Sequence, residues 1–378
     1  MTPGARIAAA IEVLDRWQAG EPAEKALTTW ARGARYAGSK DRAAIRDRVY
    51  DVLRRLESCA ALGGGRDGRA LMIGLCRMQG QEPQALFTGG YAPDPLTEVE
   101  VRVPEVDPDA WSDVPEWLQG RLKDALGDSA ETVMEAMQDR APLYLRVNAR
   151  NDAMVEERLA NDGTETEYMP PEGALKVVGG ARRVRQSQPY LSGQVEVQDL
   201  SPQRAVAMID WPQSGRILDY CAGGGGKALA IAARSDAAIH VHDVNPARMR
   251  DIAPRAERAK VTLHPFDNTL KYDVVLTDVP CSGSGTWRRD PEAKWHLAPE
   301  RLDDLTQIQA QIMDEAAALL RPGGRLVYMT CSLLCEENED QVAAFLARHR
   351  GWSRTTMARF APPEASDGFF VAELTHPG

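Results

Sequence analysis

From residue 215 onward, short apolar runs alternate with helical patterns, and nearly every run stops at a residue able to do chemistry. The run 216–218 leads into Asp219-Tyr220-Cys221-Ala222-Gly223-Gly224-Gly225-Gly226-Lys227. The run 239–242 stops at Asp243, and 261–264 stops just before Asp267. The run 272–277 stops at Asp278-Val279-Pro280-Cys281-Ser282-Gly283-Ser284-Gly285, and 326–329 at Thr330-Cys331-Ser332. Helical spacing fills the gaps at 227–233, 247–259, 301–320 and 337–349. Strands separated by helices pair in parallel, with the helices covering both faces of the sheet. In an open sheet of that kind, ligands bind outside the carboxyl ends of the strands. An α/β domain over 213–378 is therefore expected, with a glycine-rich loop, an aspartate and two thiols around one crevice.

The preceding chain reads differently. Residues 5–31, 39–56, 69–79 and 83–87 carry helical patterns, broken by glycines at 62–68, so 1–92 is expected to be a small all-α domain. Residues 93–114 hold four prolines among many acids, which marks a linker. A helical pattern over 115–138 precedes short strand candidates at 143–147, 164–168, 175–178 and 194–197, with helices at 152–161 and 199–209. Residues 115–212 are thus expected to be a helical plus small α+β subdomain.

The chain of 378 residues has a net charge of −10, which argues against a protein that coats nucleic acid along its whole surface. Basic residues still cluster locally. Residues 32–55 hold eight basic and three acidic side chains, and Arg182, Arg183 and Arg185 form one smaller group, Arg288 and Arg289 another. Each cluster is either a solvated face or a place for phosphates. No apolar run reaches the roughly 18–20 residues of a membrane span. The N-terminus has no secretory pattern, and six scattered cysteines suit a reducing compartment rather than a disulfide scaffold. With no Cys-x-x-Cys pair and no His cluster, no metal is expected. The expectation is a cytoplasmic monomer.

The glycine turn followed by Asp243 suits a nucleoside ligand, because glycines admit close backbone approach and a carboxylate can accept ribose hydroxyls. The glycine spacing is that of neither a dinucleotide fingerprint nor a Walker loop. S-adenosylmethionine fits better than NAD or ATP, the plain alternative being a packing turn. Two thiols beside an aspartate suggest covalent catalysis on a pyrimidine. Carbon 5 of cytosine is a poor nucleophile until a thiolate adds to carbon 6. An acid near N3 then stabilises the adduct, and a base removes the C5 proton so that the thiol can leave. This chemistry alone does not say which thiol attacks. Most lone cysteines are inert buried groups, which is the reading given to Cys59, Cys76 and Cys335.

At these residues the chain resembles the RNA cytosine-5 methyltransferases of the Nol1/Nop2/Sun family. The glycine turn, the Asp278-Val279-Pro280-Cys281 element and Thr330-Cys331-Ser332 look like its signature motifs. Arg146-Val147-Asn148, Val197-Gln198-Asp199, Asp243 with Arg248 and Met249, Asp267, and Asp367-Gly368-Phe369-Phe370 are similar to further elements in the same order. The resemblance spans roughly 115–378. Ser39-Lys40-Asp41-Arg42 with Val49-Tyr50 resembles the NusB-type RNA-binding domain of the bacterial branch acting on 16S rRNA, in shortened form. Arg288 to Trp295 is similar to the same branch.

The resemblance implies a Rossmann-like S-adenosylmethionine-dependent methyltransferase domain. It implies that Cys331 is the nucleophile, that Cys281 assists product release and that Asp278 holds the cytosine edge. Cys221, Ala222, Gly223, Gly224, Gly225, Gly226, Lys227, Asp243, Arg248, Asp267 and Asp278 would frame S-adenosylmethionine. Arg182, Arg183, Arg185, Arg288 and Arg289 would meet RNA, with 16S rRNA the expected substrate. The family usually carries Ala-Pro where this chain has Gly223-Gly224, which loosens the loop in the unfolded chain. The alternatives are the same chemistry on tRNA or another rRNA site, or a non-catalytic RNA-binding assembly factor. Asp278 and both thiols being present argues against the latter.

Overall fold

The computed structural model describes residues 1–105, 113–148, 154–170 and 173–378. Residues 106–112 of the expected linker and the start of the helix expected from Asp152 lie outside the described residues.

Two compact units emerge, and they cut across the boundaries expected at 92, 114 and 212. The first comprises Met1–Lys123, Ala130–Arg140 and Trp287–His296. It is helical: Pro3–Gln18, Ala23–Gly33, Ser39–Arg54, Leu56–Gly63 and Gly68–Met78 pack Ile7, Leu14, Ile45, Leu53, Leu71 and Ile73 into one core. The single pattern at 5–31 is two helices because the chain turns at Gly20, which adopts φ +93°. The segment Trp287–His296 belongs to this unit although its sequence follows the Pro-Cys motif. Its anchors are backbone carbonyls. Lys294 Nζ donates to Arg54 O at 2.8 Å and also to Asp113 O, and Trp295 Nε1 donates to Leu53 O at 2.7 Å. Burial pulls the Lys294 ammonium down to about 7.

The second unit comprises Asp124–Ser129, Ala141–Thr286 and Leu297–Gly378 and holds two sheets. The smaller contains β1 (Leu143–Val147), β2 (Glu165–Met169), β3 (Ala174–Gly179) and β4 (Val195–Val197) in the order β2-β3-β1-β4, all antiparallel. The larger contains β5 (Arg216–Asp219), β6 (Ala238–Val241), β7 (Leu263–Pro265), β8 (Tyr272–Asp278), β9 (Leu320–Thr330), β10 (Ser353–Phe360) and β11 (Phe369–Thr375). Its order is β10-β11-β9-β8-β5-β6-β7. β7, β6, β5, β8 and β9 run parallel, and β11 and β10 return antiparallel. Helices Gly226–Ala232 and Leu200–Ala207 pack among one set of buried side chains, while Pro299–Ala318 and Glu339–Arg348 contribute to another. This is a Rossmann-like α/β fold.

β10 has no counterpart in the sequence expectations. As an edge strand over Ser353–Phe360 it is only partly buried, so it shows no continuous apolar run. β9 begins at Leu320, which places the expected turn at 322–324 within the strand. The strand takes up the disruption as a register shift against β8 between Tyr272 and Val274.

Candidate active site

β8 and β9 are parallel neighbours, with Asp278 in register with Met329. Their continuations therefore emerge side by side at the same sheet edge. Cys281 and Cys331, fifty positions apart in the chain, bring their Sγ atoms to 3.3 Å. Backbone bonds tie the two loops: Val279 N donates to Met329 O at 3.1 Å and Gly285 N to Cys331 O at 2.9 Å. Gly285 must be glycine, because a Cβ there would stand 2.1 Å from Gly368 O. Gly368 N in turn donates to Gly285 O at 2.8 Å, so the turn that leads into β11 braces the Pro-Cys loop.

Cys281 is held well above the ordinary thiol range. The hydrogen bond with Cys331 is the main cause, followed by burial and the charges of Cys331 and Glu337. Cys221, in the glycine turn, is also raised, by burial and the nearby Asp219. Cys59 and Cys76 are buried in the helical unit, and burial raises both, Cys76 to about 11. Cys335 accepts from Arg359 and lies outside the thiol pair.

Asp278 pairs with Lys227 Nζ at 2.5 Å, and the same ammonium lies 5.2 Å from the ring centre of Phe369. Beneath this pair Asp219 is buried, and neither carboxylate oxygen has a partner of normal hydrogen-bond geometry among the described residues. Burial and the charge of Asp278 raise it to about 7, against the pull of Lys227 and the nearby amides of Ala228 and Cys221.

The glycine turn is clamped from outside. Gly223 and Gly225 adopt φ +49° and +79°, a region that costs a side-chain-bearing residue roughly 1–2 kcal/mol. Arg146, on β1, donates to Gly226 O at 2.8 Å and to Gln198 Oε1 at 2.7 Å, and burial lowers it to about 10. Arg255 donates to Gly224 O and, through Nη2 at 2.8 Å, to buried Glu196, which Arg258 also reaches. The loop around Gly223-Gly224 is thus held by guanidinium groups on its carbonyls. Sequence reading singled out Arg146 and Gln198 as elements of a motif without giving them this task, and it missed Glu196 and Arg255.

Asp243 is also turned toward the protein. Its carboxylate accepts from Gly223 N and Asn245 N, both at 2.9 Å, and pairs with Arg248 at 3.3 Å. Next to it Val244 is 90 % exposed, an apolar surface at the carboxyl end of β6. Asp267 is exposed, its carboxylate capping the amide and hydroxyl of Thr269, whose hydrogen bonds hold it below the usual carboxylate range.

The arginines divide. Arg182, Arg183 and Arg185 are exposed on the 3-10 turn Ala181–Gln186, and Arg289 is exposed. Arg288, expected to meet phosphates, is 8 % exposed and donates to the carbonyls of Asp139 and Arg140 at 3.3 and 3.4 Å. A guanidinium engaged on backbone carbonyls of its own unit is less available to a phosphate than the exposed arginines are.

The family described as 16S rRNA methyltransferase RsmB/F matches residues 206–375, and the ferredoxin-like domain of the RsmF/B-like methyltransferases matches 114–176. The ribosomal RNA small subunit methyltransferase B of Xylella fastidiosa is 35 % identical over 334 residues, covering 80 % of this chain and 76 % of that protein. Among solved structures, PH0851 aligns with a TM-score of 0.78 at 23 % identity over 99 % of both chains. NSun6 from Pyrococcus horikoshii, solved with SFG, aligns with a TM-score of 0.60 at 18 % identity, over 70 % of this chain and 98 % of that one.

Proposed function

The chain belongs to the RsmB/F family of 16S rRNA methyltransferases, and from that membership we propose that it methylates carbon 5 of a cytosine in 16S rRNA through a covalent Cys331 adduct. The observation that carries this reading is the thiol pair 3.3 Å apart beside Asp278, at the ends of two adjacent parallel strands.

S-adenosylmethionine, when bound, supplies the methyl group as an electrophilic sulfonium. The residues fit such a cofactor: a glycine turn without side chains, and half-exposed Arg248 with exposed Val244 beside it, where an apolar ring can lie. Gly223, Gly224, Gly225, Asp243, Arg248 and Asp267 would hold it, with Lys227 keeping Asp278 in place.

Cys331 supplies the thiolate that adds to C6 of the base. Asp278 meets the N3 edge, relays a proton from the Lys227 ammonium to N3 as charge moves onto the ring, and takes it back when the thiolate leaves. The enamine carbon C5 then takes the methyl group. Cys281 starts this sequence as a thiol, because Cys331 both hydrogen-bonds to it and repels its anion. Attack turns Cys331 into a neutral thioether and removes both effects. Cys281 then gives its own proton to solvent water and, as thiolate, takes the one on C5. The electrons of the C5–H bond re-form the C5–C6 double bond and expel Cys331 as thiolate.

The exposed arginines Arg182, Arg183, Arg185 and Arg289 would meet phosphates, and the target base has to be unstacked to reach the thiols. The test traps the adduct. Cys281→Ala protein is incubated with S-adenosylmethionine and unmodified 16S rRNA and run on a denaturing gel. A slow-migrating protein–RNA band that vanishes in the Cys281→Ala/Cys331→Ala double variant supports the assignment. A band that persists without Cys331 overturns the assigned roles. A wild-type protein that transfers no methyl group to small-subunit RNA overturns the reading as a whole.

A further inference from the structure

Behind the thiol pair lies a buried polar cluster that the chemistry above does not use. Its centre is Glu337, 0 % exposed, the last residue of the 3-10 turn Cys335–Glu337. Oε1 accepts from Ser282 N at 2.7 Å and from Gln309 Nε2 at 3.0 Å. Oε2 accepts from the hydroxyls of Ser282 and Ser332. A carboxylate has about four acceptor positions, and here all four are taken by neutral donors.

The identity of those donors matters. Ser282 follows Cys281 and Ser332 follows Cys331, so one side chain grips the residue next to each thiol. Ser284 Oγ adds a bridge, 3.0 Å from Ser332 Oγ and 3.2 Å from Ser282 Oγ, and accepts from Leu333 N at 2.8 Å. Asn338 brackets Cys331 from both sides: its Oδ1 takes the Thr330 hydroxyl, and its Nδ2 donates to Ser332 O at 2.9 Å. Gln309, Ser284, Ser332, Thr330 and Asn338 are all 0 % exposed. A buried carboxylate is costly unless hydrogen bonds satisfy it, and one that is satisfied holds its partners rigidly.

We propose that Glu337 is a positioning residue of the methyl-transfer reaction, tying Ser282 and Ser332 to one buried carboxylate so that Cys281 and Cys331 are held side by side to act on the same base. Glu337 touches neither substrate nor cofactor. It acts through two serines, and the proposal rests on the thiol roles assigned above. Sequence reading placed Glu337 at the start of a helix, where an acid is ordinary.

Glu337→Gln keeps the shape but replaces one oxygen with a donor, so two of the four bonds lose their acceptor. The expected result is a fall in kcat on the order of 100-fold, as for a small misplacement of reacting groups, with KM for S-adenosylmethionine and RNA unchanged. Ser332→Ala falls less, and the double variant is no worse than Glu337→Gln, because both break the same tie. A second readout does not depend on methyl transfer. Phenylarsine oxide bridges closely paired thiols, and its affinity for the protein falls at least about tenfold in Glu337→Gln if the pair has separated. If wild type binds the arsenical but transfers no methyl group, the functional reading fails while the arsenical comparison still judges the positioning. Unchanged kcat and unchanged arsenical affinity in Glu337→Gln overturn the proposal. Should that variant not fold, Ser332→Ala decides: wild-type kcat and arsenical affinity there overturn it equally.

Discussion

Asp219 and Glu337 are both acids buried at the carboxyl edge of the same sheet, and the fold treats them in opposite ways. Asp219 has a cation nearby but no well-formed hydrogen bond, and its environment raises it to about 7. Glu337 accepts four neutral donors from three segments of chain. A poorly hydrogen-bonded acid answers to pH and to the charges around it. An acid saturated with donors is a fixed strut. The glycine-turn side of the crevice is thus arranged around charge and the thiol side around geometry.

The most severe break in this comparison is to remove the thiol that the strut serves. Cys331→Ala is expected to lower methyl transfer at least about 1000-fold while leaving S-adenosylmethionine binding intact, since a covalent route loses its nucleophile. Labelled-methyl incorporation and equilibrium dialysis check the two halves of that statement. Next comes loss of the strut itself. Glu337→Ala strands two hydroxyls, an amide N–H and Gln309 in a dry site, at a cost of about 3–5 kcal/mol read from chemical unfolding.

Asp219→Asn is expected to act with the opposite sign. The folded protein holds this proton up to about 7, whereas an unfolded aspartate releases it near 4. The native state therefore binds more protons over that window, and wild-type stability from this group falls as pH rises from 4 to 7. The Asn variant escapes that loss, so its advantage grows through the window to a plateau on the order of 2–4 kcal/mol above pH 7. Urea titrations of both proteins at pH 5 and pH 8 measure the difference. Equal stability at both pH values would show that Asp219 is better satisfied than its geometry indicates.

The smallest effects belong to the exposed arginines, which serve neither acid. Arg182→Ala, Arg183→Ala or Arg289→Ala is each expected to weaken RNA binding a few-fold and to reduce the salt slope of log affinity by about 1, without changing kcat at saturating RNA. Arg288→Ala should instead lower the stability of the helical unit, because its guanidinium serves the carbonyls of Asp139 and Arg140. Thermal unfolding set beside a filter-binding titration separates the exposed arginines from Arg288.

Much of the candidate site could be read from the chain because its parts are local. An apolar run that stops at Asp219, Asp243, Asp278 or Cys331 announces a strand end, and the strand-to-helix alternation allows those ends to share one edge. What local pattern cannot carry is the identity of the neighbour. Periodicity says that Cys281 and Cys331 each follow a strand, but only the order β9-β8-β5 brings the two sulfurs to 3.3 Å. Edge strand β10 was invisible because half of it meets water. Trp287–His296 joined the helical unit because its Lys294 and Trp295 find carbonyls at 53, 54 and 113. Glu337 looked like an ordinary acid at a helix start until burial placed Ser282, Ser332 and Gln309 around it. The sequence by itself determined which residues are available at the crevice. The tertiary structure decided which of them touch, because partners for a buried polar group come from distant segments and no window of sequence contains them.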